Sequence, residues 1–195
     1  MESQEIYSSK GILIHGPRLL SPHVFHDKRG CFHETWNKNT FNSIIRDDIE
    51  FVQDNESFSK IGVLRGLHYQ LNPNCQGKLV RVSSGKIYDV IVDLRADSRT
   101  FLSWMGVILD DVNKYQIWIP AGFAHGFLTL SNTAVLAYKV TNYWCSESEK
   151  TLFWNDKDIS INWPFKDLNL KTPILSDKDR NGSLINELAL NNYLF

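Results

Sequence analysis

The chain comprises 195 residues, 43% hydrophobic and 22% charged, with a formal net charge of −1 at pH 7. That length supports one well-buried core and is short for two domains, while the near-zero charge excludes a bulk field for nucleic acid or an acidic membrane. Cys31, Cys75 and Cys145 are odd in number and far apart, which excludes a disulfide framework. No apolar run reaches the length of a signal peptide or a membrane span, so free thiols in a cytoplasmic protein are expected.

Short strand signals separated by Gly, Pro and Asn/Asp occupy most of the chain. The first lies at 31–36 (CFHETW), and a helix follows at about 39–47 (NTFNSIIRD), with Asn39 or Thr40 available as its cap. Further strands are expected at 51–59, 63–70, 77–83, 86–94, 102–109, 115–119, 124–130 and 134–143, and a second helix at about 183–193. Many short strands with regular turns, and no repeat, linker or low-complexity tract, predict one all-β sandwich or barrel with short peripheral helices.

Several of these strands carry polar residues in apolar rows. In 86–94, alternation puts Tyr88, Val90, Val92 and Leu94 on a packing face, and Ile87, Asp89, Ile91 and Asp93 on the other. The second face reads as a solvated outer side or as a polar barrel lumen. In 134–143, Tyr138 shares a face with Ala134, Leu136, Val140 and Asn142, where a buried tyrosine satisfied by a backbone carbonyl is the ordinary account. His125 shares a face with Phe127 and Thr129, a placement more often structural than chemical. In "VLRGLHYQ" (63–70), Arg65, His68 and Tyr69 sit together in one strand.

A metal-holding barrel needs a His-x-His pair with a nearby Glu and a later His. Here "LHYQL" has Gln70 in place of the second His, and His23 and His26 lie in a turn-rich segment, so no metal site is expected. No nucleophile elbow, Cys–His pairing or phosphate-binding glycine loop is present. What remains is cofactor-free general acid/base chemistry by His, Tyr and carboxylates, with Arg and Lys to hold an anion.

Six stretches, "FHDKRGCFHETW", "FVQDNESFSKIGVLRGLHYQ", "QGKLVRVSSGKIYDVIVDLR", "WIPAGFAHGFLTL", "YKVTNYW" and "ILSDKD", together resemble the dTDP-4-dehydrorhamnose 3,5-epimerases, from about residue 11 to about residue 180. The ordered set is specific, although each motif alone is weak. The resemblance implies a cupin-type double-stranded β-helix jelly roll, with the core at about 25–165 and a C-terminal tail at about 166–195. It also implies a homodimer, no metal or organic cofactor, and as substrate dTDP-4-dehydro-6-deoxy-glucose, inverted at carbons 3 and 5 of the sugar to give the dTDP-rhamnose precursor. His68 falls on the family's general base, Asp179 on the carboxylate paired with it, and Tyr138 on the general acid. Substrate-binding positions fall on Arg29, Glu34, Gln53, Asn55, Arg65, Lys78, His125, Glu149 and Lys178.

The chemistry suits these residue types. A 4-keto group acidifies the hydrogens on carbons 3 and 5, because the resulting anion spreads onto the carbonyl oxygen. A base on one face removes a proton and an acid on the opposite face returns one, inverting the centre, while cationic or hydrogen-bonding groups stabilise the enolate. Two departures stand out. Trp144 occupies the position where the family stacks thymine on a tyrosine, and Gly66 shifts the parity between Arg65 and His68, which simple alternation puts on opposite faces unless a bulge intervenes. Two other readings stay open: a single-centre epimerase of another nucleotide-linked 4-keto-6-deoxy sugar, and a non-catalytic cupin that only binds a sugar nucleotide.

Overall fold

The computed structural model describes residues 1–195. Its strands are β1 (Glu2–Tyr7), β2 (Leu13–Ser21), β3 (Val24–Asp27), β4 (Gly30–His33), β5 (Gln53–Lys60), β6 (Leu64–Gln70), β7 (Lys78–Ser84), β8 (Lys86–Asp93), β9 (Trp104–Asp110), β10 (Gln116–Ile119), β11 (Phe123–Thr129), β12 (Thr133–Val140) and β13 (Glu149–Thr151). Helices are few and short: α1 (Lys38–Ile45), α2 (Asp177–Arg180) and α3 (Ile185–Leu190), with a single 3₁₀ turn at Phe165–Leu168.

Eight consecutive strands, β5 to β12, are divided between two antiparallel sheets in the orders β5-β12-β7-β10 and β6-β11-β8-β9, crossing from one to the other at every step except the β8–β9 hairpin, which is the double Greek key of the jelly roll. β1 and β2 extend the first sheet to six strands, and β13 extends the second to five. The sheets therefore recruit residues 2–21, ahead of the expected start of the barrel at about 25. These two strands lack a readable pattern: β1 is an exposed polar edge with only Ile6 buried, and β2 is interrupted by Gly16-Pro17.

Both faces of the five-stranded sheet are covered. Its inner face, with Ile87, Ile91, Phe123 and Phe127, meets Val80, Val82, Ile117 and Leu136 of the six-stranded sheet. Its outer face, with Leu67, Tyr69, Val90 and Val92, lies under Leu152, Ile159, Trp163, Ile185 and Leu188 of the C-terminal tail. The carboxylate face of β8 is thus the barrel lumen, with Asp89 and Asp93 fully buried, and not a solvated side. Alternation alone cannot say which face of a strand is wet when a later segment dries the other.

α1 is capped by Asn37, whose Oδ1 accepts from the amides of Asn39 and Thr40, not by Asn39 or Thr40 themselves. Its buried Phe41 packs with Leu20, Leu79 and Trp118 against the outside of the six-stranded sheet. The last helix is shorter than the expected 183–193, because Asn192 takes a left-handed backbone (φ 55°) and Tyr193–Phe195 turns back to the sheet. There the Phe195 carbonyl accepts from the Ala96 amide, and the Tyr193 carbonyl accepts from the Tyr69 hydroxyl.

Candidate active site

The polar groups of the lumen converge on a cleft of about 290 Å³ at one end of the barrel. Its walls hold Arg65, His68, Lys78, His125, Tyr138, Trp144, Glu149, Lys178 and Asp179 from the expected set, together with Ser57, Gln76 and Ser176. Gln53 and Asn55 lie beside it on β5, joined by a 2.8 Å hydrogen bond, and Gln53 Oε1 accepts from the Trp144 amide at 3.1 Å. Arg29 and Glu34 lie outside it. Arg29 is an exposed turn residue paired with Asp27, and Glu34 accepts from the Asn37 side chain at 3.1 Å.

The position of His68 depends on a break in β6. Along β11, His125 and Phe127 are two residues apart, yet their partners on β6, His68 and Arg65, are three apart. One extra residue is therefore bulged out, which returns Arg65 and His68 to the same side. Gly66 sits in the bulge with φ +117°, and a Cβ there would stand 2.5 Å from the Gly126 Cα and 2.7 Å from the His125 carbonyl oxygen. Only glycine fits this backbone and this space.

His68 Nε2 and Asp179 Oδ1 are 2.5 Å apart. Asp179 reaches the cleft on α2, where Ser176 is the cap: the Asp179 amide donates to Ser176 Oγ, and the Ser176 hydroxyl donates to Asp179 Oδ2 at 2.7 Å. The Gly66 amide adds a weaker hydrogen bond to Oδ1 at 3.3 Å. Burial works against the Asp179 anion, but the hydrogen bonds from His68, Ser176 and Gly66 outweigh it and hold the carboxyl below its ordinary range. For His68, burial wins over the attraction of Asp179 and, with Lys178 and Lys78 nearby, lowers the imidazole below its usual value. An ionised Asp179 beside a neutral imidazole accepts a hydrogen bond from Nε2–H, which leaves the lone pair on Nδ1 as the basic nitrogen.

Tyr138 comes from β12 in the opposite sheet, so His68 and Tyr138 occupy the two walls of one cleft. Burial, reinforced by the Glu149 carboxylate and opposed by Arg65, raises its phenol above the ordinary value and keeps it protonated at neutral pH. Lys78, nearly buried, donates to the His68 carbonyl at 3.1 Å, and burial pushes its ammonium down to about 8. His125 Nε2 lies 2.8 Å from Asp89 Oδ2, a second buried imidazole–carboxylate pair. Glu149 and Lys178 form an ion pair at 2.9 Å across the rim.

Ser57 and Ser176, which line the cleft, and Asp89, which holds His125 from behind its wall, escape the sequence reading. Asp89 is visible only as one carboxylate on the ambiguous face of β8. Ser176 is legible as the cap of an S-x-x-D turn, though nothing in that turn says which way Asp179 points. Ser57, whose buried hydroxyl has no protein partner, carries no local signal.

Comparison with known proteins points one way. The profile described as dTDP-4-dehydrorhamnose 3,5-epimerase matches residues 12–187. A dTDP-4-dehydrorhamnose 3,5-epimerase of Salmonella typhimurium is 51% identical over 172 residues, covering 88% of this chain and 92% of that one. Among solved structures, a dTDP-6-deoxy-D-glucose-3,5-epimerase of Legionella pneumophila in complex with dTDP-4-keto-L-rhamnose superposes with a TM-score of 0.86 at 42% identity, covering 95% and 94% of the two chains. A 3′-monoepimerase of Streptomyces bikiniensis in complex with dTDP-quinovose gives a TM-score of 0.87 at 29% identity, covering 97% of this chain and 92% of that one.

Proposed function

The chain belongs to the dTDP-4-dehydrorhamnose 3,5-epimerase family, and from this we infer that it inverts carbons 3 and 5 of dTDP-4-dehydro-6-deoxy-D-glucose to give dTDP-4-dehydro-L-rhamnose, in dTDP-rhamnose synthesis. One observation carries the chemistry: the His68 imidazole and the Tyr138 phenol stand on opposite walls of one cleft. In our reading, His68 Nδ1 takes the proton from carbon 3 or 5, and the Asp179 carboxylate stabilises the imidazolium that forms. The electron pair moves onto the 4-keto oxygen, and Tyr138 returns a proton to the opposite face of the ring. A donor aimed at an enolate oxygen is worth on the order of 10²–10³ in rate, a role that suits Lys78 or His125.

The remaining groups fit a nucleoside diphosphate. Arg65, Lys178 and Lys78 supply positive charge, and Trp144 offers an exposed ring at the rim for the thymine to stack on. No metal or organic cofactor enters this scheme, so turnover should persist after exhaustive chelation.

Arg29 and Glu34 are the exceptions, since neither lines the cleft of its own chain. Arg29 is in the turn of the two-stranded ribbon β3–β4 and Glu34 directly follows it, and this ribbon exposes Phe25 and Phe32. We propose a homodimer in which this ribbon meets the second copy. Phe32→Ser should then shift the sedimentation of the protein toward the monomer, and an unchanged dimer would locate the interface elsewhere.

The decisive experiment is product analysis by NMR after incubation with dTDP-4-dehydro-6-deoxy-D-glucose in deuterated water. Deuterium at carbons 3 and 5 supports double inversion. Deuterium at one carbon would make this chain a monoepimerase, the activity carried on the same fold by the Streptomyces bikiniensis protein. Deuterium at neither would leave a binding protein.

A further inference from the structure

Gln70 stands where a metal-holding barrel would place a second histidine, and its side-chain amide is spent on something else. The residue is 3% exposed at the end of β6. Its Nε2 donates to the Tyr143 carbonyl at 3.2 Å and to the Asn74 carbonyl at 2.6 Å, while its Oε1 accepts from the Cys145 amide at 2.7 Å. The Tyr143 carbonyl and the Cys145 amide are the backbone groups on either side of Trp144. One planar amide thus grips the chain before and after the tryptophan and ties it to the barrel floor.

Trp144 itself is 58% exposed, so packing does little to fix its ring. Its own amide is held by Gln53 Oε1. The placement of this ring at the cleft mouth therefore rests on backbone tethers, and Gln70 supplies those on the two groups nearest it, the Tyr143 carbonyl and the Cys145 amide, while the Glu149 amide holds the Cys145 carbonyl and the Asn142 side chain the Tyr143 amide. We propose that Gln70 is a positioning residue for nucleobase recognition, acting through Trp144 without touching substrate or the reacting atoms. The proposal rests on the reading that Trp144 stacks on the base of the substrate.

A preorganised aromatic platform binds more tightly than one that must be ordered on binding. Loosening it should weaken the ground state and the transition state alike, raising KM while kcat changes little. Gln70→Met keeps the volume and removes every hydrogen bond. Gln70→Glu keeps the acceptor for the Cys145 amide and loses the donor for Tyr143 and Asn74.

The test is the affinity for dTDP, measured by calorimetry, for the wild type, both Gln70 variants, Trp144→Ala and the Gln70→Met/Trp144→Ala double variant, with kcat and KM alongside. Base–aromatic stacking sets the scale, so Gln70→Met should weaken dTDP binding and raise KM by about fivefold or more, with kcat held within about twofold. Gln70→Glu should weaken binding at least as much, because its carboxylate turns an acceptor oxygen toward the Tyr143 and Asn74 carbonyls. The double variant should bind about as weakly as Trp144→Ala alone, because a clamp has nothing to act on once the ring is gone. Fully additive losses, or Gln70 variants that bind normally while Trp144→Ala does not, would overturn the proposal. Unchanged binding in Trp144→Ala would instead refute the stacking reading, and the platform role of Gln70 with it. If circular dichroism shows neither Gln70 variant folded, Gln70 is a tether of the barrel and the proposal also fails.

Discussion

Burial acts on both members of the His68–Asp179 pair, yet leaves them in complementary states. The carboxyl is kept ionised by three hydrogen bonds, whereas the imidazole, lowered by burial, stays neutral down to a pH below the usual histidine value of about 6.5. A base must be neutral to act, so kcat/KM should be flat at neutral pH and fall on the acid side only below about 6.5. An alkaline limb is expected at about 8, where buried Lys78 loses its proton. In Asp179→Asn the attraction that raises His68 disappears, so the acid limb should move to still lower pH while the plateau drops by roughly 10²–10⁴. A limb that moves upward would mean that Asp179 does not stabilise the imidazolium.

Tyr138 is tested by the opposite signature. Tyr138→Phe keeps the ring in its apolar row and removes only the hydroxyl, so the variant should fold with unchanged thermal stability. His68 can still take a proton and return a solvent-exchanged one to the same face. Deuterium should therefore wash into the substrate while inversion slows by on the order of 10²–10⁴. Inversion at the wild-type rate would reduce Tyr138 to a packed core tyrosine.

At the scale of elements, the strands β4 to β12 were legible because each is a short run bounded by turn residues, and in β8 the period of two separated the two faces correctly, as it did not in β6. The lumen was not legible. Which side of β8 is the interior depends on residues 152–195 folding over the other side, a contact more than sixty positions away that no local pattern encodes. The site motifs named Arg65 and His68, but their meeting requires the bulge at Gly66. Parity broken by one glycine reads equally well as a bulge or as a strand with two functions. β13 and α2, which bring Glu149, Lys178 and Asp179, are too short to carry a periodic signal.

The bulge makes its own prediction. Gly66→Ala places a methyl group against backbone in a region that L-residues avoid, and backbone cannot rotate away as a side chain can. The left-handed strain alone costs about 1–3 kcal/mol, and the clash adds to it. Gly30→Ala is the control: φ is also positive, at +134°, but nothing lies within 4 Å of the added carbon. Gly66→Ala should lower the midpoint of thermal unfolding well beyond Gly30→Ala. Any folded fraction should lose activity, since relieving the clash moves Arg65 and His68 together. Equal stability for the two variants would show that the bulge is a pliable loop, not a fixed part of the site.

The whole molecule separates what holds the barrel from what runs the chemistry, although one segment does both. The tail from residue 152 onward seals the outer face of the five-stranded sheet through Ile159, Trp163, Ile185 and Leu188, and in passing delivers α2 with Asp179. Ile185 is 3% exposed, and its amide donates to buried Asp156 at 2.8 Å. Truncating it to alanine leaves a cavity between tail and sheet, at a cost of about 2–5 kcal/mol. It touches neither Ser176 nor the His68–Asp179 pair, so Ile185→Ala should unfold at a lower temperature while its folded molecules keep nearly the wild-type kcat. Ser176→Ala should do the reverse. The lost cap costs about 0.5–2 kcal/mol, less than the cavity left at Ile185. But the carboxylate then loses the hydroxyl that fixes Oδ2, and only the weaker Gly66 amide on Oδ1 is left to orient it toward His68. The expected result is a fall in kcat of about tenfold or more with the acid limb shifted, and a smaller loss of thermal stability than in Ile185→Ala. Should Ile185→Ala and Ser176→Ala lose kcat and stability in the same proportion, the tail would be one cooperative unit in which catalysis simply follows folding.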